Sequence, residues 1–131
     1  MSVYVIDRHS SIAHPRMALR PNVFVTPFHR AELANAIYQQ VFRGQISLIQ
    51  AQLAYSNFER NCEAGGWVLA ALPLSTYATS IRLARQHGPT LGVRTLDTLH
   101  VAAALELKAT RFWTFDERQA KLAEAQGLAT A

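Results

Sequence analysis

A chain of 131 residues that is 50% hydrophobic and 17% charged has the length of one domain and the composition of a packed core, which excludes a disordered tail or a coiled coil. Its net charge of +4 is carried by eleven arginines and two lysines, and arginine's bidentate fork suits phosphate-bearing partners, although charge alone does not establish one. One cysteine, Cys62, rules out an internal disulfide framework; with no apolar run near the roughly 18 residues of a membrane span and no secretory leader, a cytoplasmic location without membrane contact is expected.

Residues 2–6 read as a short buried strand of β-branched and aromatic residues. Residues 8–22 hold two histidines, three arginines and two prolines and leave room for one short helix at most. Val23-Phe24-Val25 reads as a second strand. Thr26-Pro27 then supplies an N-cap hydroxyl and a first-turn proline for a helix over about 27–43, with Leu33, Ala34, Ile37 and Val41 on one stripe and Gly44 as its stop. Ser47-x-x-Gln50 has the form of a capping box and begins a helix to about residue 63, broken by Gly65-Gly66. Cys62 falls in that helix and reads as a small buried hydrophobe rather than a nucleophile.

Trp67-Val68-Leu69 fits a short strand. Ser75 or Thr76 can cap a helix running to His87, which Gly88-Pro89 is expected to terminate. A helix over about 96–108, a strand over 111–115 and a last helix over 117–126 complete the chain. Strands alternating with helices imply an α/β fold with a parallel sheet.

The chain contains only three aspartates, and their placement is informative. Asp7 ends the first strand, Asp97 opens a helix, and Asp116 follows the run Phe112-Trp113-Thr114-Phe115. Ligands of open α/β sheets bind beyond the carboxyl ends of strands. Acids converging there need a cation to coexist, because like charges raise one another's pKa. Each also has a local explanation. Asp116-x-x-Gln119 makes a capping box, Asp97 suits the positive end of a helix, and Glu32 is an ordinary helix residue. Asp7 is the hardest to explain locally, since an acid ending a buried strand must find a partner.

The segments Leu96-Asp97-Thr98-Leu99-His100-Val101-Ala102-Ala103-Ala104 and Thr114-Phe115-Asp116, with the spacing between them, resemble the PIN-domain ribonucleases, and among them the VapC toxins of bacterial toxin–antitoxin pairs. Thr26 to Leu33, with Glu32 in the first turns of a helix, resembles the second acidic motif of that family. Val5-Ile6-Asp7 resembles its opening strand. The resemblance implies a single PIN-like domain over residues 1–131, a three-layer α/β/α sandwich around a central, mostly parallel sheet. It further implies that Asp7, Glu32, Asp97 and Asp116 gather one or two Mg²⁺ or Mn²⁺ ions and cleave single-stranded RNA, leaving a 5′-phosphate and a 3′-hydroxyl. Hard divalent cations prefer such oxygen ligands.

Thr114 matches a small hydroxyl position that bonds a metal water. After Asp7 the family places a small residue and then Ser or Thr; here Arg8 and His9 stand there and Ser10 is the first hydroxyl. The segment 8–22 is also shorter than the family pattern. Arg30, Arg94, Arg111, Arg118 and Lys121 lie near the acidic motifs and are candidates to hold phosphates, with a solvated rim as the alternative. Implied partners are a cognate antitoxin and a second copy of the chain. Tyr38, Phe42, Tyr55 and Phe58 are candidates for either seam, with core packing as the simpler reading of each. The alternative function is a catalytically impaired PIN-like module that binds RNA or protein. His100, one turn after Asp97, reads as a buried histidine, and His9, His14 and His29 lack the spacings of a zinc site. A phosphoacceptor receiver domain would need paired acids near the first strand and a late lysine, and neither is evident.

Overall fold

The computed structural model describes residues 23–130. The expected first strand, together with Asp7, Arg8, His9, Ser10 and His14, lies outside the described residues. The chain divides into two compact units, the first ending at Ala71 and the second spanning Leu72–Ala131.

The first unit begins with strand β1 (Phe24–Val25), passes through helices α1 (Pro27–Phe42) and α2 (Leu48–Glu63), and returns in strand β2 (Val68–Leu69). The strands are parallel, with Phe24 opposite Val68 and Val25 opposite Leu69. Parallel neighbours require a crossover of a dozen or more residues, and the two helices supply it. Both helices start where their caps dictate. Buried Thr26 accepts the His29 backbone N–H while its own N–H donates to His29 Nδ1, so His29 serves a cap rather than a zinc ion. Ser47 and Gln50 form the reciprocal box, at 3.1 and 2.8 Å. Gly44, at a φ of +71°, ends α1 as expected.

The predicted α1 stripe is realised. Ile37 is fully buried against Ala51 and Ala54, and Leu33, Val41, Ile46 and Tyr55 close around them. Phe58 is buried too, so it and Tyr55 are core residues. Phe42 is not: it is 92% exposed, because it lies one position past the Val41 stripe.

The second unit packs helices α3 (Thr76–Leu91), α4 (Thr95–Glu106) and α5 (Glu117–Ala125) around Leu83, Val101, Ala102, Leu122, Ala123 and Leu128. Two expectations are corrected here. Gly88-Pro89 does not end α3, which runs through both residues to Leu91. Gly88 is not in the left-handed conformation that a helix stop requires. Gly92 is, at a φ of +62°, and its N–H donates to Gly88 O. The added turn carries Leu91 onto the core cluster that contains Leu83.

The strand expected over 111–115 is reduced to one parallel bridge between Arg111 and Ala129. Beyond it the backbone serves α5 instead of a ladder, since Asp116 N–H donates to Thr114 Oγ1. The described residues are therefore helix-rich with a two-stranded parallel sheet. Among them no helix is long and apolar enough to cross a membrane.

Helix α4 is tied to the first half of α3 at two places. Ser80 Oγ donates to Thr98 Oγ1 at 2.8 Å in the buried seam. Glu106 accepts from Thr79 Oγ1 and Ser75 Oγ, placing a carboxylate at the positive end of α3, whose N-cap Ser75 makes no side-chain bond to the backbone of its own helix. These hydroxyls, Thr79 first and then Ser75, hold the Glu106 carboxyl below its ordinary value of 4.5. A depressed carboxyl pKa adds stability that is complete above that value and is lost as pH falls through the folded value. Urea unfolding of wild type and Glu106→Gln is thus expected to differ at neutral pH and to converge in acid. Leu83→Ala should cost about 2–5 kcal/mol through a core cavity, whereas Phe42→Ser should change stability by less than about 0.5 kcal/mol in the same measurement.

Candidate active site

Asp97 is the third residue of α4 and only 5% exposed, an unusual position for an acid. Its Oδ2 accepts the Arg94 backbone N–H at 2.8 Å, so Asp97 caps the turn that precedes it. Its Oδ1 accepts from Gln119 Nε2 at 3.0 Å. Thr98 beside it donates to Thr95 O while accepting from Ser80, which fixes this turn against α3. Among the described residues Asp97 has no ion pair. Among those residues, neutral donors and the helix dipole face the carboxylate.

Asp116 is the N-cap of α5, and its Oδ1 accepts the backbone N–H groups of Arg118 (2.8 Å) and Gln119 (3.2 Å). The other half of the expected capping box is absent. Asp116 N–H donates to Thr114 Oγ1 at 3.0 Å, and Thr114 Oγ1 donates to Gln119 Oε1 at 2.9 Å. The Gln119 amide therefore reaches across to Asp97. Asp97, Gln119, Thr114 and Asp116 form one hydrogen-bonded chain that joins the N-terminal ends of α4 and α5.

The structure thus brings together Asp97, Asp116 and Thr114, with Gln119 as the residue that sequence reasoning saw only as a local cap. The spacing Asp116-x-x-Gln119 was its one signal. Asp7 and Ser10 lie outside the described residues. Glu32 is the sixth residue of α1, half-buried and engaged in an interaction of its own. Arg30, Arg94, Arg111, Arg118 and Lys121 are all exposed, with Arg94 and Arg118 flanking the two aspartates. His100 is half-buried on α4 and also engaged. Burial pushes the Cys62 thiol above its ordinary 9.0; Arg30 opposes that rise, and Glu59 and Glu63 add to it. At neutral pH Cys62 is a poor nucleophile.

Among the described residues no three His, Cys, Asp or Glu side chains gather into a metal-binding group. The second unit alone contributes two carboxylates and a hydroxyl. That all-oxygen, anionic donor set fits a hard divalent cation. Asp116 Oδ2 accepts no hydrogen bond among the described residues, and each Asp97 oxygen keeps a lone pair beyond its one bond. The two contributions of Asp116, cap and charge, are separable. Asp116→Ala should cost about 0.5–2 kcal/mol in chemical denaturation by removing the cap, and Asp116→Asn, a good cap without charge, should cost far less.

The family model described as PIN domain matches residues 3–125. No curated protein matches the chain. With a match that spans nearly the whole sequence and joins the acidic motifs at both ends, the chain belongs to the PIN-domain family, whose members are in general nucleases.

Proposed function

We propose that this protein is a metal-dependent endoribonuclease that cleaves single-stranded RNA and acts as the toxin of a VapBC-like toxin–antitoxin pair in the cytoplasm. The observation that carries this reading is the hydrogen-bonded chain that links buried Asp97 to the cap acid Asp116, with no ion pair to Asp97 among the described residues. A carboxylate held by neutral donors offers a metal no competing protein cation to displace.

On this reading the chain is one PIN-like α/β/α domain with a shortened segment 8–22, and the family match crosses the boundary at Ala71. Asp97 and Asp116, joined by Asp7 and Glu32, would hold one or two Mg²⁺ or Mn²⁺ ions. Such a metal, when bound, lowers the pKa of a water aimed at phosphorus and steadies the leaving oxygen. The protein's own residues do the rest. Asp97 and Asp116 present oxygens in a fixed arrangement. Thr114 and Ser10 orient water near the acids. Arg30, Arg94, Arg118 and Lys121, with solvated head groups, hold the phosphates on either side of the cut.

Exposed Phe42, Ile49 and Leu53 on α1 and α2 support a surface for a second copy or for the cognate antitoxin. A second reading, a PIN-like module without catalysis, rests on Arg8 and His9 standing where the family has a small residue and a hydroxyl. Arg8 turned inward would compete with a metal for Asp7.

Incubation of the purified protein with a single-stranded RNA decides between them. Cleavage requiring Mg²⁺ or Mn²⁺, stopped by chelator, and lowered at least about 100-fold in kcat/KM by Asp97→Asn (about 2.7 kcal/mol of transition-state stabilisation) is expected. Cleavage that survives chelation would overturn the metal dependence, and a folded protein that binds RNA without cutting it at high enzyme concentration would overturn the nuclease reading.

A further inference from the structure

The two Ser/Asp-x-x-Gln segments of this protein behave differently. Gln50 folds back and accepts the N–H of its own cap residue, Ser47. Gln119 has the same spacing from Asp116 but makes no such bond, because Thr114 Oγ1 has already taken the Asp116 N–H. Local capping is satisfied without the Gln119 side chain. The amide is then directed at the acids, with Oε1 on Thr114 and Nε2 on Asp97, while the Gln119 backbone N–H bonds Asp116 Oδ1.

The polarity of these bonds is self-consistent. Thr114 Oγ1 accepts from Asp116 N–H, so its own proton goes to Gln119 Oε1. That fixes which end of the amide is oxygen and turns the NH₂ toward Asp97, which when ionised can only accept. One residue thus touches both aspartates and the hydroxyl between them. A glutamate here would set acceptor against acceptor, and an apolar residue would leave one Asp97 oxygen without its donor.

We propose that Gln119 is the positioning residue of the acidic site, holding Asp97 and Asp116 in the single mutual arrangement that a divalent cation requires. The inference rests on the metal-dependent reading above but concerns cation binding first and cleavage second. Its reach is that of an outer residue orienting metal ligands, where loss typically costs about 10- to 100-fold in affinity or activity.

The test uses the full chain, stripped of metal and titrated with Mn²⁺ by calorimetry, alongside steady-state cleavage of a single-stranded RNA. Gln119→Leu keeps a bulky side chain, one bond shorter, and loses the amide's bonds. It should weaken Mn²⁺ binding about 10- to 100-fold and lower kcat by a similar factor, with KM for RNA within about twofold. Thr114→Val, which frees the amide to rotate, should show part of the same loss. The double variant should be no worse than Gln119→Leu alone, since both act through one amide. A purely structural role would lower the melting temperature and leave Mn²⁺ affinity and kcat in place. The proposal is overturned if both single variants bind Mn²⁺ within about twofold of wild type, or if wild type itself binds no Mn²⁺. A wild type that binds Mn²⁺ but cuts no RNA would sink the nuclease reading alone, and the variants' binding curves would still decide the role of Gln119.

Discussion

Everything in the second unit answers to one constraint, the burial of the Asp97 carboxylate at the start of α4. An ionised acid removed from water must be compensated or neutralised. Compensation here comes from the Arg94 backbone N–H, the Gln119 amide and the positive end of the helix. Each demands something of the surrounding structure. The N–H requires Arg94 to stand as an extended cap residue. The amide requires α5 to begin within reach of α4, which Asp116 and Thr114 arrange by capping α5 at that point. The helix end must not drift, and Ser80 pins it through Thr98.

The choice of neutral donors has a chemical consequence. An arginine paired directly with Asp97 would stabilise its charge more strongly but would also cancel it and compete with any cation. Arg94 is adjacent, yet it contributes its backbone N–H while its side chain stays exposed. The carboxylate is therefore oriented by neutral donors, and the Arg94 charge is kept at the surface. A site that binds a metal and a polyanion together needs this separation, because metal and arginine would otherwise compete for the acids.

Much of the fold was legible wherever the deciding signal was local. Thr26-Pro27 and Ser47-x-x-Gln50 placed the starts of α1 and α2, Gly44 ended α1, and Val68-Leu69 emerged as a strand inside the expected 67–69. Reading failed where two local signals competed and packing chose between them. Gly88-Pro89 looked like a stop, but Leu91 gains a place against the core if the helix continues to Gly92. Thr114 and Phe115 looked like strand residues, but their backbone is committed to the cap of α5. Both aspartates of the second unit were visible as a pair of motifs. Their connection was not, because Gln119 had an equally good local partner and only the fold shows that Thr114 claims it first.

That displacement bears on the long-standing ambiguity of an acid at a helix start, which can be a cap or a ligand. At Asp116 the cap occupies one oxygen. Oδ1 takes both backbone N–H groups, and Oδ2 accepts nothing among the described residues. Capping therefore orients the carboxylate rather than consuming it, and the N–H groups withdraw no net charge from it. At Asp97 the same logic holds with one bond on each oxygen, each leaving a lone pair. The bonds that begin α4 and α5 are the bonds that aim the acids. Stability and site geometry share them, so a substitution that spares the caps but breaks the Gln119 amide is the one that separates holding a helix from holding a metal.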